Sequence, residues 1–264
     1  MLILTVTLPF VAIVTMLLFY KLKWATTNYL GNLVPYSLGC FVLYSFLLFG
    51  FFAPFHTAVF SGISMLYLVG IWFIGLIDDR FGDRKTKGLK GHISAFLYKR
   101  TVSTGMLKIF GTVVLTYFLL FFLDLKSMEQ WFRFAILLLL TPHVMNLFDT
   151  RPLRVWKVSL LHCALFLPLL DFMPFSYYLY IVTFFFIFYV LEGHAVAMLG
   201  DNGATLIGGI LALLTIFHAP VQQQYEVISL LVLLTIFAER VSFSQWIEKH
   251  PILRFVDSWG ISSK

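Results

Sequence analysis

Three carboxylates lie at the point where a long apolar run gives way to a basic loop. They are Asp78, Asp79 and Asp83, within GLIDDRFGDRKTKGLKGHI at 75–93. Adjacent carboxylates repel each other, so they stay ionised most easily beside a cation such as Mg²⁺. A boundary between bilayer and water is also where a water-soluble phosphorylated molecule can meet a lipid. The simpler interpretation is a solvated stop at the end of a membrane helix.

A second polar group lies in NLFDTRPLRVWK at 146–157. Asn146 and Asp149 are three residues apart, so one helical turn places both on one face. Arg151 and Arg154 follow, and the planar guanidinium group suits phosphate binding. A polar helix end with positively charged residues at a membrane boundary is the simpler interpretation of this pattern.

A glycine-rich turn and a lone lysine complete the set of candidate residues. In MLGDNGATLIGG, Gly200 and Gly203 flank Asp201 immediately before an apolar segment. A glycine turn before a helix offers free backbone N–H groups to an anion, although a tight turn between two helices explains the pattern equally well. Lys108 lies near the start of another apolar segment. Its ammonium group can meet a phosphate there or simply reach the membrane surface.

These residues sit in a chain whose composition is that of a membrane protein. Hydrophobic residues make up 60% of the chain and charged residues 12%, whereas a soluble domain carries about 25% charged residues. Nine apolar segments alternate with polar loops, which predicts an all-α polytopic membrane protein with about nine transmembrane helices in one domain, 1–264. The segments cover 2–20, 33–55, 57–77, 105–123, 130–147, 155–170, 176–191, 204–218 and 226–238.

The basic residues predict the orientation of the chain. With the N-terminus outside and the C-terminus in the cytoplasm, 17 of the 19 Lys and Arg residues lie on the cytoplasmic side, as the positive-inside rule requires. The net charge of +6 then faces an anionic leaflet, so it does not indicate nucleic-acid binding. The cytoplasmic loops fall at about 21–32, 78–104, 148–154, 192–203 and 239–264.

Two further patterns bear on function. No acidic residue lies near the centre of an apolar segment, which argues against an ion-coupled transporter because coupling carboxylates usually lie near the bilayer midplane. The C-terminal stretch is expected to form a short amphipathic helix at the inner membrane surface. Its predicted apolar contacts are Phe243, Trp246, Ile247, Ile252 and Leu253.

Four segments, in order, resemble the motifs of the polyprenyl-phosphate N-acetylhexosamine-1-phosphate transferases, the superfamily that initiates bacterial peptidoglycan and teichoic-acid synthesis. TNYLGNLVPYSLG at 27–39 is similar to the first cytoplasmic loop motif, and GLIDDRFGD at 75–83 to the acidic motif after the third helix. NLFDTRPLRVWK resembles the N-L-x-D motif, and MLGDNGATLIGG the G-D-x-G-x-x-x-x-G motif. In two departures, Leu30 replaces the usual Arg of the first motif, and the second Asp of the extended N-L-x-D motif is absent.

The resemblance implies a reaction and a set of roles. The phosphate of a polyprenyl carrier attacks the β-phosphate of a UDP-N-acetylhexosamine, UMP leaves, and Mg²⁺ neutralises the diphosphate. By motif, Asp201 and Asp79 would bind Mg²⁺. The catalytic carboxylates would be Asp78, Asp79 and Asp149. The residues expected to bind substrate are Asn28, Asn146, Lys108, Arg151 and Arg154.

The same resemblance implies a multi-pass protein of the bacterial cytoplasmic membrane, and it leaves a homodimer open. One alternative is a non-catalytic relative that binds polyprenyl phosphate or assists a cell-envelope enzyme. A lipid transporter is a third interpretation. The presence of Asp78, Asp79, Asp149 and Asp201 together argues against a relative that has lost catalysis. The sequence does not specify the sugar, the polyprenol or the pathway.

Overall fold

The computed structural model describes residues 1–52, 57–82, 104–166 and 173–262. Within these ranges, seven helices are long and apolar enough to cross a membrane. The described part of the chain is therefore that of an all-α polytopic membrane protein, as the composition predicts. The seven helices are α1 (Leu2–Lys21), α3 (Gly62–Phe81), α4 (Thr104–Phe122), α5 (Met128–Phe148), α7 (Phe175–Gly193), α8 (Gly200–His218) and α9 (Val221–Arg240).

The remaining elements are shorter. The helices are α2 (Leu38–Phe52), α6 (Arg154–Cys163), α10 (Phe243–Lys249) and α11 (Pro251–Ser258), with 3₁₀ turns at Ala58–Phe60 and Ala164–Phe166. Strands β1 (Ala25–Thr27) and β2 (Leu33–Pro35) form an antiparallel hairpin in the first predicted loop. Each of the nine predicted apolar segments overlaps one of the helices α1 to α9, although most of these helices extend past the predicted bounds by one to five residues. Most of the predicted loop 78–104, including Asp83, lies outside the described residues.

Helix α8 is the centre of the bundle. In the most apolar stretch of α8, 78% of the residues are buried. The corresponding share in α9 is only 11%, so most residues of α9 face away from the bundle. Glycine lets α8 approach its neighbours closely. At Gly208, a Cβ atom would lie only 2.4 Å from the Cα of Pro142 in α5. Small residues allow such close backbone contact between membrane helices.

Proline in α5 leaves one backbone carbonyl without its helical hydrogen bond, and a side chain of α3 donates to that carbonyl. Pro142 has no backbone N–H, so the carbonyl of Leu138 lacks its usual helical donor. The hydroxyl of buried Tyr67 in α3 donates to that carbonyl at 3.0 Å. Because the hydrocarbon region offers no water to satisfy a free carbonyl, this bond ties α3 to α5.

The hairpin and the helix ends come together at one end of the bundle. The backbone N–H of Met198 donates to the carbonyl of Pro35, and the N–H of Leu38 donates to the carbonyl of Met198. The chain before α8 is thus joined to the chain before α2. Helices α3, α5 and α7 finish at this end, which we call the acidic end after four of its residues: Asp79, Asp149, Glu192 and Asp201.

Candidate functional site

Asp79 caps the N-terminus of α8 from a different helix. Its Oδ1 accepts the backbone N–H of Asp201 at 2.9 Å. Its Oδ2 accepts both the backbone N–H of Asn202 at 2.8 Å and the side-chain amide of Asn202 at 2.7 Å. The first N–H groups of a helix have no partner within the helix, and a carboxylate placed there also meets the positive end of the helix dipole. The donors at this helix start are therefore used by the protein's own carboxylate.

The close approach of α3 to α8, at Gly75, and of α2 to α8, at Gly39, depends on glycine. A Cβ on Gly75 would lie 2.6 Å from the Cα of Asn202, and one on Gly39 would lie 2.6 Å from the backbone nitrogen of Gly203. Gly200 begins α8 with a φ of +70°, a conformation that favours glycine. The sequence predicted a glycine turn at 200–203 before the helix, but α8 already begins at Gly200, so these residues form its first helical turn. The sequence did not identify the partner of this turn.

Lys108 of α4 pairs with Asp201 and with a further carboxylate at this end of the bundle, that of Asp78. Its Nζ lies 2.8 Å from Oδ2 of Asp201 and 3.6 Å from Oδ2 of Asp78. The carboxyl groups of Asp78 and Asp201 are also within hydrogen-bonding contact of each other. Only 15% of the Lys108 side chain and 16% of the Asp78 side chain are exposed, against 33% for Asp201. The ammonium group of Lys108 therefore partly neutralises two neighbouring carboxylates. Of the three side chains, that of Asp201 is the most exposed.

Asp149 lies beside this cluster, after the end of α5. The backbone N–H of Gly200 donates to its carboxylate. Burial raises the pKa of Asp149 well above its usual range, and the negative charges of Glu192 and Asp201 raise it further. Lys108 and the Gly200 N–H act in the opposite direction. Asp149 thus holds its proton more tightly than an exposed aspartate.

Glu192 is a site residue to which the sequence analysis gave no role. Its Oε2 accepts the backbone N–H of Leu153 at 2.8 Å, and its carboxylate also accepts the N–H of Leu199. It therefore connects the turn after Asp149 to the residue before α8. The signal in the sequence was an acid at the end of an apolar segment, which by itself is typical of any helix end.

A small cleft of about 60 Å³ opens next to Asp149. Asn28 and Tyr29 of the hairpin turn form one wall. Oδ1 of Asn28 accepts the backbone N–H groups of Leu30 and Asn32, which fixes the turn. Nδ2 of Asn28 is buried and has no hydrogen-bond partner among the described residues. The remaining lining residues are Val34, Asp149, Thr150, Arg151, Pro152, Glu192, Ala195, Ala197 and Met198.

The two predicted phosphate-binding arginines have different surroundings. Arg154 is buried and forms a bidentate pair with Asp257 of α11, with Nε–Oδ1 and Nη2–Oδ2 distances of 2.6 and 2.8 Å. Arg151 lines the cleft, contacts Glu248 and lies 5.9 Å from the centre of the Tyr29 ring. Its side chain is 33% exposed. Arg151 is the arginine of this pair that can reach a ligand in the cleft.

Asn146 lies one turn before Asp149, and its Oδ1 is buried with no partner among the described residues. No group of three or more His, Cys, Asp and Glu residues with metal-binding geometry occurs in the described part of the chain. The carboxylates of Asp78 and Asp201 nevertheless supply hard oxygen donors that already pair with a cation, so their chemistry fits Mg²⁺. Asp79 has less capacity, because its Oδ2 already accepts two hydrogen bonds and its Oδ1 one.

Comparison of the chain with protein-family models, with curated proteins and with solved structures gave no match.

Proposed function

We propose that this protein transfers an N-acetylhexosamine-1-phosphate from a UDP-sugar to a polyprenyl phosphate at the cytoplasmic face of a bacterial membrane, and that it releases UMP. The observation that supports this most is the meeting of Asp78, Lys108, Asp149 and Asp201 at one end of the bundle. They come from separate helices, and three of them belong to the motifs that resemble those of the transferases. Charges of both signs beside a cleft suit phosphate chemistry.

In the proposed reaction, an oxygen of the carrier phosphate forms a bond to the β-phosphorus of the UDP-sugar. The bond from that phosphorus to the bridging oxygen breaks, and UMP leaves with the electron pair. Lys108, which pairs with Asp201, would stabilise the negative charge that develops on the phosphoryl oxygens. Asp78 and Asp201 would hold Mg²⁺, which when bound supplies further neutralisation of the diphosphate.

Asp149 is proposed to accept the proton of the carrier phosphate as a general base. Burial raises the pKa of Asp149 above that of an exposed aspartate. Its carboxylate is therefore a stronger proton acceptor than an exposed one would be, which suits a general base. Asp79 has a positioning role in this scheme, since it fixes the start of α8 and with it the backbone of Asp201.

The nucleotide is proposed to bind in the cleft beside Asn28, Tyr29 and Arg151. The cleft of about 60 Å³ is much smaller than the roughly 300–1,000 Å³ of a typical ligand pocket. Binding would therefore require the hairpin turn and the turn at 149–152 to separate. Arg151 at the cleft forms a partly exposed ion pair with Glu248. Such surface pairs contribute only about 0–1 kcal/mol to stability. A phosphate group could therefore replace Glu248 as the partner of Arg151.

The test is to incubate purified protein with undecaprenyl phosphate, Mg²⁺ and a panel of UDP-sugars and to measure UMP release. Wild type should release UMP with at least one sugar. Lys108→Met should lower the rate by orders of magnitude, whereas Lys126→Met should leave it unchanged because Lys126 is exposed and lies beyond the opposite end of α4 from Lys108. Equal rates for the two variants would remove Lys108 from the reaction.

A second candidate is a non-catalytic protein that binds polyprenyl phosphate. The observation in its favour is that Asp201 already pairs with Lys108 and that Asp79 already accepts hydrogen bonds from the N-terminus of α8. Such a protein would bind the carrier and release no UMP with any UDP-sugar, so the same assay distinguishes the two functions.

A further inference from the structure

Helix α11 has an apolar side that is at least half exposed in the described part of the chain. Ile252 is 79% exposed, Phe255 72%, Val256 50% and Trp259, just after the helix, 57%. The spacing of 0, 3, 4 and 7 residues places the four side chains on one side of a helix. Large apolar surfaces of this kind mark contacts with other proteins or with membranes.

The opposite side of α11 is fixed to the protein, so the apolar side cannot simply rotate inward. Asp257 is 7% exposed and forms the bidentate pair with Arg154. Nζ of Lys157 donates to the backbone carbonyls of Val256 and Asp257 at 2.7 and 2.8 Å. A cation at the last turn also interacts favourably with the negative end of the helix dipole. These bonds hold the orientation of α11.

A third side of the helix is polar and exposed, with Arg254 and Ser258. The helix therefore has one side against the protein, one apolar and one polar, which is the distribution of a helix lying at a membrane surface. Helix α11 also follows closely after a helix that is long and apolar enough to cross the membrane. That helix, α9, ends at Arg240, and two residues separate it from the start of α10 at Phe243.

We infer that α11 lies in the interfacial layer of the bilayer, with Ile252, Phe255 and Val256 among the acyl chains and Trp259 near the headgroups. Tryptophan is enriched at this depth because its ring is apolar and its N–H is polar. The surface differs from the C-terminal contacts that the sequence predicted, because Phe243 is buried against Phe148, with ring centres 5.1 Å apart. The inference does not depend on the proposed transferase activity.

Spin labels on two exposed positions of α11 test the inference. In a background with Cys40→Ala and Cys163→Ala, Phe255→Cys and Ser258→Cys are each labelled and the protein is reconstituted into liposomes. Collision rates are then measured with oxygen, which partitions into the bilayer, and with a water-soluble nickel chelate. Both positions are exposed and three residues apart, so Ser258 is the matched control.

The label at 255 should collide mainly with oxygen and the label at 258 mainly with the nickel chelate. The ratio of the two collision rates should differ severalfold between the positions. Equal access of both labels to the nickel chelate would contradict membrane insertion. A label at 255 that is shielded from both reagents, with spin–spin broadening between copies, would instead assign the face to a second copy of the chain and would also overturn the inference.

Discussion

Asp78 and Asp79 are adjacent in the chain, but their carboxylates have different partners. Asp79 accepts three hydrogen bonds from the start of α8, whereas Asp78 contacts Lys108 and Asp201. Consecutive residues of a helix point in directions about 100° apart, so only one of the two can face the backbone of α8. At the residue scale, the acidic motif thus combines one structural carboxylate with one carboxylate that is available for chemistry.

The same substitution should therefore destabilise the protein at Asp79 and have little effect on stability at Asp78. In Asp79→Asn, an amide NH₂ group replaces one of the two carboxylate oxygens that accept N–H groups of Asp201 and Asn202. The negative charge at the N-terminus of α8 is lost as well. We expect a loss of about 1–3 kcal/mol in the free energy of unfolding. Asp78→Asn should be close to wild type, because its partner Lys108 retains Asp201. Thermal unfolding in detergent measures both, and equal melting temperatures for the two variants would contradict the cap.

Asp149 should make stability depend on pH. Burial raises its pKa in the folded state above the unfolded value, so the folded state favours the protonated form. Its contribution is most favourable at low pH and is lost as the pH rises from the ordinary aspartate pKa through the raised folded-state pKa. Asp149→Asn should melt at a higher temperature than wild type at neutral pH, and the difference should shrink on acidification. A difference that grows on acidification would contradict the burial of an ionisable group here.

At the scale of elements, glycine contacts determine how closely α8 approaches its neighbours. Gly75→Ala should push α3 away from α8, because the added Cβ would lie 2.6 Å from the Cα of Asn202 and 2.7 Å from the carbonyl oxygen of Asp201. Backbone atoms cannot move aside as a flexible side chain can. We expect a destabilisation of about 1–3 kcal/mol, the usual range for overpacking.

Gly62→Ala is the matched control on the same helix. Nothing lies within 4 Å of a Cβ at Gly62, and alanine favours a helix over glycine by about 1 kcal/mol. Thermal unfolding of the two variants should therefore move the melting temperature in opposite directions. A neutral Gly75→Ala would indicate that α3 and α8 are further apart than described.

Much of the helical architecture follows from the sequence, because each apolar segment is continuous and each membrane helix satisfies its own backbone. The prediction of a polytopic helical protein is confirmed, while the count of nine spans stays a prediction. What the sequence could not predict depends on contacts between distant segments. The cap on α8 joins residues 122 positions apart in the chain, and the pair of Arg154 and Asp257 joins residues 103 positions apart. Local patterns contain no information on such pairings.

At the scale of the whole molecule, the candidate site requires that the helix ends share one side of the membrane. The contacts bring the ends of α3, α5 and α7 to the start of α8, and the basic residues predict that this side is cytoplasmic. The cytoplasmic assignment determines which nucleotide pool the site can use, since UDP-sugars are cytoplasmic molecules in the proposed reaction.

Reporter fusions test this orientation. Fusions at Lys99 and Lys264, both outside the described residues, should report a cytoplasmic location. A fusion at Lys126, in the turn between α4 and α5, should report the opposite side. An extracytoplasmic signal at Lys99 or Lys264 would remove the site from the compartment of its proposed substrate.

The most direct test of the central claim is UMP release by Asp201→Asn, measured with carrier binding and thermal unfolding on the same preparation. The substitution preserves shape and leaves intact the backbone N–H that Asp79 accepts. It removes the carboxylate that pairs with Lys108 and is proposed to hold Mg²⁺. We predict that UMP release falls by orders of magnitude while carrier binding and melting temperature stay near wild type. Undiminished UMP release by the folded variant would contradict a phosphoryl-transfer site at Asp201.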